Sequence, residues 1–305
     1  MRRLIAIMCM LAAVVVGVNA KGGVVWGEYS KLVRVDKPVP YFENKPKAVP
    51  SGKDFMMSID TVEFWQREDM IVNEILSGNM PDVLKIFQKI EYTTPIVDSV
   101  PVLRKSHKVE MYVLPDYLSV GSDDDFVRMP MGPLAAQEIA DKLNCILPTT
   151  YLVDRIAEVS EGHVDIFPFR PLGSRNMMPI VFQDSDNAIK ALFKAKGYTF
   201  GQFISGLKKD LVLTYKIQTL DGKERYEAIY GWHHPDGRTQ QPLFVRHGNF
   251  YVDYSHGVRL IYREIMIDGK KYDAKEVLES PELYHLLSDE PMPLKKASYA
   301  GNPRW

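Results

Sequence analysis

The sequence predicts an α+β fold, a helical N-terminal half packed with a C-terminal antiparallel β-meander. Apolar residues recur at helical spacing in several segments before Gly197. From residue 211 onward, short β-rich runs alternate with Asp-Gly and Pro-Asp-Gly turns. No polar linker separates the halves, which predicts one domain over residues 51–291 followed by a tail at 292–305.

Residues 1–20 read as a cleavable secretory leader. Arg2 and Arg3 open it, an apolar run follows from Leu4 to Val18, and Val18-Asn19-Ala20 supplies a cleavage site. The apolar run is short of the roughly 20 residues a membrane span needs. Met8 before Cys9 does not make a lipobox, and no later segment reads as a membrane span. The mature chain is expected to begin at Lys21 and to be secreted or periplasmic. Its only cysteine is then Cys145, so it has no intrachain disulfide.

Residues 21–50 carry Gly22, Gly23, Pro38, Pro40, Pro46 and Pro50 and read as an extended arm. Trp26, Tyr29, Tyr41 and Phe42 argue that it packs on the domain, since free linkers are poor in aromatics. Asp60 with Glu63 resembles a capping pair for a helix carrying Val62, Trp65, Ile71 and Ile75 and closed by Gly78. Asn79 and Pro81 open a shorter predicted helix with Val83, Leu84, Phe87 and Ile90. Residues 108–120 alternate as a strand with Val109, Met111 and Val113 on one face. Helices are expected from Pro133, over Thr150–Val159, and from near Ser185 to Gly197, with a strand at His163–Phe169.

In the meander, strands are expected at Leu211–Ile217, Glu224–Trp232, Pro242–Val245, Phe250–Asp253 and Gly257–Ile267. Asp221-Gly222, Gly248-Asn249 and Asp268-Gly269 supply the turns, and short helices follow at 273–287.

Lys and Arg total 38 against 39 Asp and Glu, a net charge of −1, so no field favours nucleic acid. No nucleotide-binding glycine motif, nucleophile elbow or H-E-x-x-H pair is present, so no nucleotide cofactor is expected. Asp123-Asp124-Asp125 lacks the alternating spacing of a Ca²⁺ loop and reads as a capped turn. Cys145 falls near the end of a predicted helix, the wrong pole for thiolate activation, and reads as buried structure.

Four of the seven histidines lie between residues 230 and 260. If each turn reverses the chain, His233, His234, His256 and Gln241 share one sheet edge and His247 falls at the other. The candidate catalytic residues are therefore His256, His234 and His233. Trp232, Gln241, Asp253, Tyr254 and Arg259 are the candidate substrate contacts. Imidazoles near turns suit acid–base work or a divalent metal, whose identity the sequence leaves open. Ser255 is adjacent to His256 and so points away from it, which argues against a Ser–His nucleophile.

The segments Gly121-Ser122-Asp123-Asp124-Asp125-Phe126-Val127-Arg128, Tyr230-Gly231-Trp232-His233 and Tyr251 to Leu260 resemble those of a family of uncharacterised secreted bacterial proteins. The resemblance covers most of the mature chain. It implies export and a shared fold, and it carries no reaction and no catalytic residues.

The expected function is a secreted hydrolase-like enzyme acting on a cell-envelope or extracellular polymer. The alternative is a non-catalytic glycan- or envelope-binding protein using Tyr230, Trp232, Tyr251 and Tyr254.

Overall fold

The computed structural model describes residues 30–43, 51–170, 173–218 and 226–299. The leader, the Asp221-Gly222 turn, residues 21–29 and 44–50 of the arm and residues 300–305 of the tail lie outside them. The chain begins with β1 (Ser30–Pro38), α1 (Gly52–Ser58), α2 (Phe64–Ser77), β2 (Ile86–Thr93), β3 (Lys108–Val113), β4 (Ser119–Gly121) and β5 (Phe126–Arg128). It continues with α3 (Pro133–Lys142), β6 (Cys145–Ile146), α4 (Thr150–Glu158), β7 (Gly162–His163), α5 (Pro179–Lys196), β8 (Ile204–Ser205), β9 (Lys209–Leu211) and α6 (Tyr215–Gln218). The last stretch holds β10 (Tyr226–His233), β11 (Thr239–Gly248), β12 (His256–Gly257), β13 (Ile261–Tyr262), β14 (Glu264–Ile267), β15 (Lys270–Asp273) and α7 (Ala274–Glu279).

Helices and strands interleave along the whole chain, which overturns the expected division into a helical half and a C-terminal meander. The largest sheet has the order β1-β2-β3-β13-β6, with β14 pairing β3 and β15, and so draws strands from both halves. Part of the predicted arm is its edge strand β1. The segment expected as a second short helix is β2. Ile90 pairs with Met111 and Tyr92 with Val109, all buried, while Lys89, Glu91, Lys108 and Glu110 form an ion-pair ladder on the other face. Partners on both sides and a two-residue period outweigh the helical spacing of Val83, Leu84, Phe87 and Ile90.

The 211–217 run is corrected for a similar reason. β9 stops at Leu211, and residues 215–218 turn into α6. The Glu290 carboxylate accepts the Thr214 hydroxyl and the Tyr215 N–H, the latter at 3.0 Å, and capping from a distant segment overrides β propensity. Other elements follow the pattern. α3 starts at Pro133, α4 at Thr150, and α5 ends against Gly197 in the left-handed conformation, although α5 begins at Pro179 rather than near Ser185. One continuous apolar cluster runs from Val39 to Ala297.

The second sheet, β11-β10-β9-β12, is the one that matters for the site. β10 pairs antiparallel with both neighbours, but β12 lies parallel to β9. Residues 250–253 form no strand. The expected hairpin around Gly248-Asn249 is therefore absent, and the rule that placed His247 at the far edge fails.

Candidate active site

Glu227 faces inward from β10 and is directly opposite His247 of β11. Directly opposed residues project from the same face of a sheet. Register irregularities on either side of Ile229 give β11 an extra residue each time, a device that re-aims side chains. After β11, Asp253 Oδ1 accepts the Ser255 N–H at 2.7 Å and the Ser255 hydroxyl. This side-chain turn, closed by the His256 N–H to the Asp253 carbonyl at 3.0 Å, sets the chain into β12. The Lys209 N–H donates to the Ser255 carbonyl at 2.7 Å and places His256 beside Lys209.

The outcome is a buried acid–base constellation. His256 Nδ1 lies 3.4 Å from Glu227 Oε1, and His256 Nε2 lies 3.8 Å from Asp253 Oδ1, so one imidazole stands between two carboxyl groups. Glu227 is 0% and His256 2% exposed. Among the described residues, neither Glu227 oxygen and neither His256 nitrogen has a hydrogen-bond partner. At 3.4 Å the two groups are close but not aligned as a hydrogen bond. The His247 ring stacks on Tyr251 at 4.1 Å and lies 6.2 Å from His256, centroid to centroid, so His247 belongs to this constellation.

Burial pushes the Glu227 carboxyl well above the carboxylate range, and the nearby Asp253 and Glu68 charges add to it. Glu68, on α2, is itself lifted to about 7 by burial, although the Gly132 N–H donates to it at 2.7 Å. Burial lowers His256 to about 4, so its ring is neutral at pH 7. Burial alone would raise Asp253; the charges of His256 and Lys209 and the two Ser255 donors outweigh it and bring it down to about 2. With His256 neutral, Lys209 and Ser255 maintain that ionised state. Glu227 therefore carries a proton to give, His256 has a site to receive one, and Asp253 stays charged.

The structure scatters most of the other sequence-predicted residues. His234 is half-buried in a turn and bonds Gln240 at 2.9 Å, and Gln241 donates to the Pro242 carbonyl. His233 Nε2 meets Asp154 at 2.9 Å, and the same carboxylate accepts the Tyr230 hydroxyl. Trp232 is buried and donates to the Gly206 carbonyl at 2.8 Å. Tyr254 is buried, stacks on Phe169 and accepts its N–H. Arg259 stacks on Tyr117 and donates to the Pro115 carbonyl. The four aromatics expected to form a flat platform thus do not share an exposed strip.

His233, Trp232 and Arg259 instead line a second polar centre with Lys208, Asp210 and Tyr117, around a cleft of about 20 Å³. Burial raises Asp210 to about 6, and it accepts the Tyr117 hydroxyl at 2.9 Å. That volume holds about one water. The carboxylates here are also paired with tyrosine or histidine partners, which separates this centre from Glu227 and His256.

Sequence reasoning missed Glu227, Asp154 and Asp210. A signal existed for Glu227, a lone acid within the apolar run Tyr226 to Trp232. Cys145 and the aspartate run behave as expected: Cys145 is fully buried in β6, and Asp123 and Asp125 accept backbone N–H groups. Among the described residues, no group of three or more His, Cys, Asp or Glu side chains is placed to hold a metal ion. No family model, curated protein or solved structure matches the chain.

Proposed function

We propose that this protein is an exported hydrolase acting on a cell-envelope or extracellular polymer, with Glu227 and His256 as its acid–base pair. The observation that carries the proposal is the pair itself, a fully buried carboxyl and imidazole 3.4 Å apart with their hydrogen-bonding atoms unsatisfied. Folded proteins pair nearly all buried polar atoms, and a catalytic role is one explanation for a buried group left unpaired. Export is inferred from the leader at residues 1–20. Among the described residues no helix is long and apolar enough to cross a membrane, which agrees with a mature chain that has no helical span.

In this scheme His256 takes a proton from water as the water oxygen attacks the electrophilic carbon. The scissile bond breaks, and its leaving atom receives the Glu227 proton. Transfer from His256 to Glu227 across their short separation resets the pair. Asp253, anchored by Ser255, stabilises the transient imidazolium. Substrate reaches the pair past His247 and Tyr251, the half-buried members of the constellation.

The test is release of soluble fragments from purified envelope and extracellular polymers by the chain starting at Lys21. Glu227→Gln should lose about 10²–10⁴-fold in rate, the typical contribution of a general acid, with a thermal midpoint no lower than wild type. Undiminished turnover by Glu227→Gln would overturn the assignment.

A further inference from the structure

The second polar centre holds a guanidinium that is only partly used. Arg259 is 3% exposed, lies over the Tyr117 ring at 4.6 Å, and donates from Nη1 to the Pro115 carbonyl at 3.1 Å. Its Nε is buried with no partner among the described residues. Its Nη2 bonds no described residue either, but solvent reaches it. Arg259 lines the half-open cleft of about 20 Å³, so Nη2 is the donor it presents there. Asp210, which lines the same cleft, is left in the same state. Oδ2 accepts the Tyr117 hydroxyl at 2.9 Å, while Oδ1 bonds no described residue and is also open to solvent. Trp232 forms a wall of the cleft at a cost in backbone strain. Its φ is +54°, directly after Gly231 at +97°, and its Nε1 is tied to the Gly206 carbonyl. A bulky side chain in the left-handed region is rare, and such strain gathers at ligand sites.

We propose that this cleft is a binding subsite for one hydroxyl group of a sugar or other polyol, which donates to Asp210 Oδ1 and accepts from Arg259 Nη2. A hydroxyl does both at once. A carboxylate or carbonyl only accepts and would face the Asp210 carboxylate without a proton. An ammonium only donates and would face the Arg259 charge. Size points the same way. Room for about one water admits one oxygen atom, so the hydroxyl enters and the rest of the ligand stays outside, past half-buried Ser160. A hydroxyl there reproduces the bonds of the water it displaces, so the exchange costs little. Burial raises Asp210 to about 6, against the pull of Arg259, the Tyr117 hydroxyl and His233 and with the push of Asp154. Lys208, the other charged group of the cleft, is lowered to about 8 by burial, bonds Ser185 and the Tyr254 carbonyl, and stays protonated around pH 6. Asp210 is therefore a charged acceptor above pH 6 and loses that charge below it.

The test is saturation-transfer NMR on the chain from Lys21 to the C-terminus, with methyl glucoside, N-acetylglucosamine and glycerol as probes and acetate and ethylammonium as ionic controls. At pH 7 at least one of the three polyols should bind in preference to both ions. Preference for a sugar would mark a ring at the mouth of the cleft, and preference for glycerol an acyclic chain. Asp210→Asn keeps an oxygen for the Tyr117 hydroxyl and removes the charge, so polyol affinity should fall about tenfold, the difference between a charged and a neutral acceptor. Wild-type affinity should decline as pH drops through 6, and that of Asp210→Asn should stay flat. Ser160→Trp changes neither Asp210 nor Arg259 and narrows the way in, so it should abolish polyol binding even where Asp210→Asn fails to fold. Absence of binding by all three polyols, preference for acetate or ethylammonium, or polyol binding unchanged in Ser160→Trp would overturn the subsite. None of these readouts depends on Glu227 or His256, so the subsite and the acid–base assignment stand or fall separately.

Discussion

Two buried ionisable clusters in this protein have opposite bookkeeping. Around Arg128, opposite charges meet at close range: Nε and Nη2 grip Asp116 at 2.9 and 2.7 Å, Nη1 reaches Asp186 at 2.8 Å, and Lys190 forms an ion pair with the other Asp186 oxygen at 3.0 Å, although that oxygen accepts no aligned hydrogen bond. Around Glu227 and His256, burial is as complete but the polar atoms lack partners among the described residues. The first cluster ties β5 to α5 and to the loop holding Asp116. The second is finished only when something else enters. Depth of burial therefore does not distinguish the two clusters; what differs is that the first balances opposite charges at close range and the second does not.

The largest expected effect tests the first half of that comparison. Arg128→Ala strands Asp116 and Asp186 in the interior, and breaking one side of a buried ion pair costs about 3–5 kcal/mol. Urea unfolding should show a loss of that size. A loss within 1 kcal/mol would mean that the cluster is not structural, and the contrast with Glu227 would collapse.

The second half is tested through pH. Folding raises the Glu227 carboxyl well above its ordinary 4.5, so between those two values the native chain binds more protons than the unfolded one. Stability supplied by this group is complete below 4.5 and declines as pH rises toward the folded value. Glu227→Gln cannot ionise, so its stability relative to wild type should grow above pH 4.5, by at most about 1.4 kcal/mol per pH unit. His256 runs the other way. Burial lowers it from 6.5 to about 4, so its contribution is present above 6.5 and is lost as pH falls through that window. His256→Gln should flatten the acid limb between pH 6.5 and 4. Parallel stability curves for wild type and both variants would show that neither group is held in its neutral form.

How far the sequence reached toward this pair has a physical explanation. Local signals were sufficient where local chemistry decides: Pro133, Thr150 and the glycines at 78 and 197 mark helix ends whatever surrounds them. They misled where a distant partner decides. Glu290 turns residues 214–218 into a helix, and β1 and β3 turn 86–93 into a strand. The site suffered most because its placement depended on strand direction. His256 and Asp253 were legible as polar residues beside a turn, whereas their neighbour Glu227 was marked only as a lone acid inside an apolar run and nothing local tied it to them. The parallel pairing of β12 with β9 brings His256 to His247, which an all-antiparallel meander forbids.

The smallest expected effect concerns His234, which the sequence grouped with His256. Its partner is Gln240 within the same exposed turn, and the neighbouring Asp236 and Arg238 bond each other. A side chain that leaves no buried atom unmet when removed should cost no more than about 0.5 kcal/mol. His234→Ala should therefore match wild type in urea midpoint and in polymer turnover, while His247→Ala, which removes the ring stacked between Phe244 and Tyr251, should impair turnover. The two substitutions exchange the outcomes that a meander would assign them. Loss of turnover in His234→Ala with His247→Ala unaffected would show that the chemistry lies at the His233–His234 end of β10, and that the unsatisfied atoms of Glu227 and His256 are a packing cost with no role in the reaction.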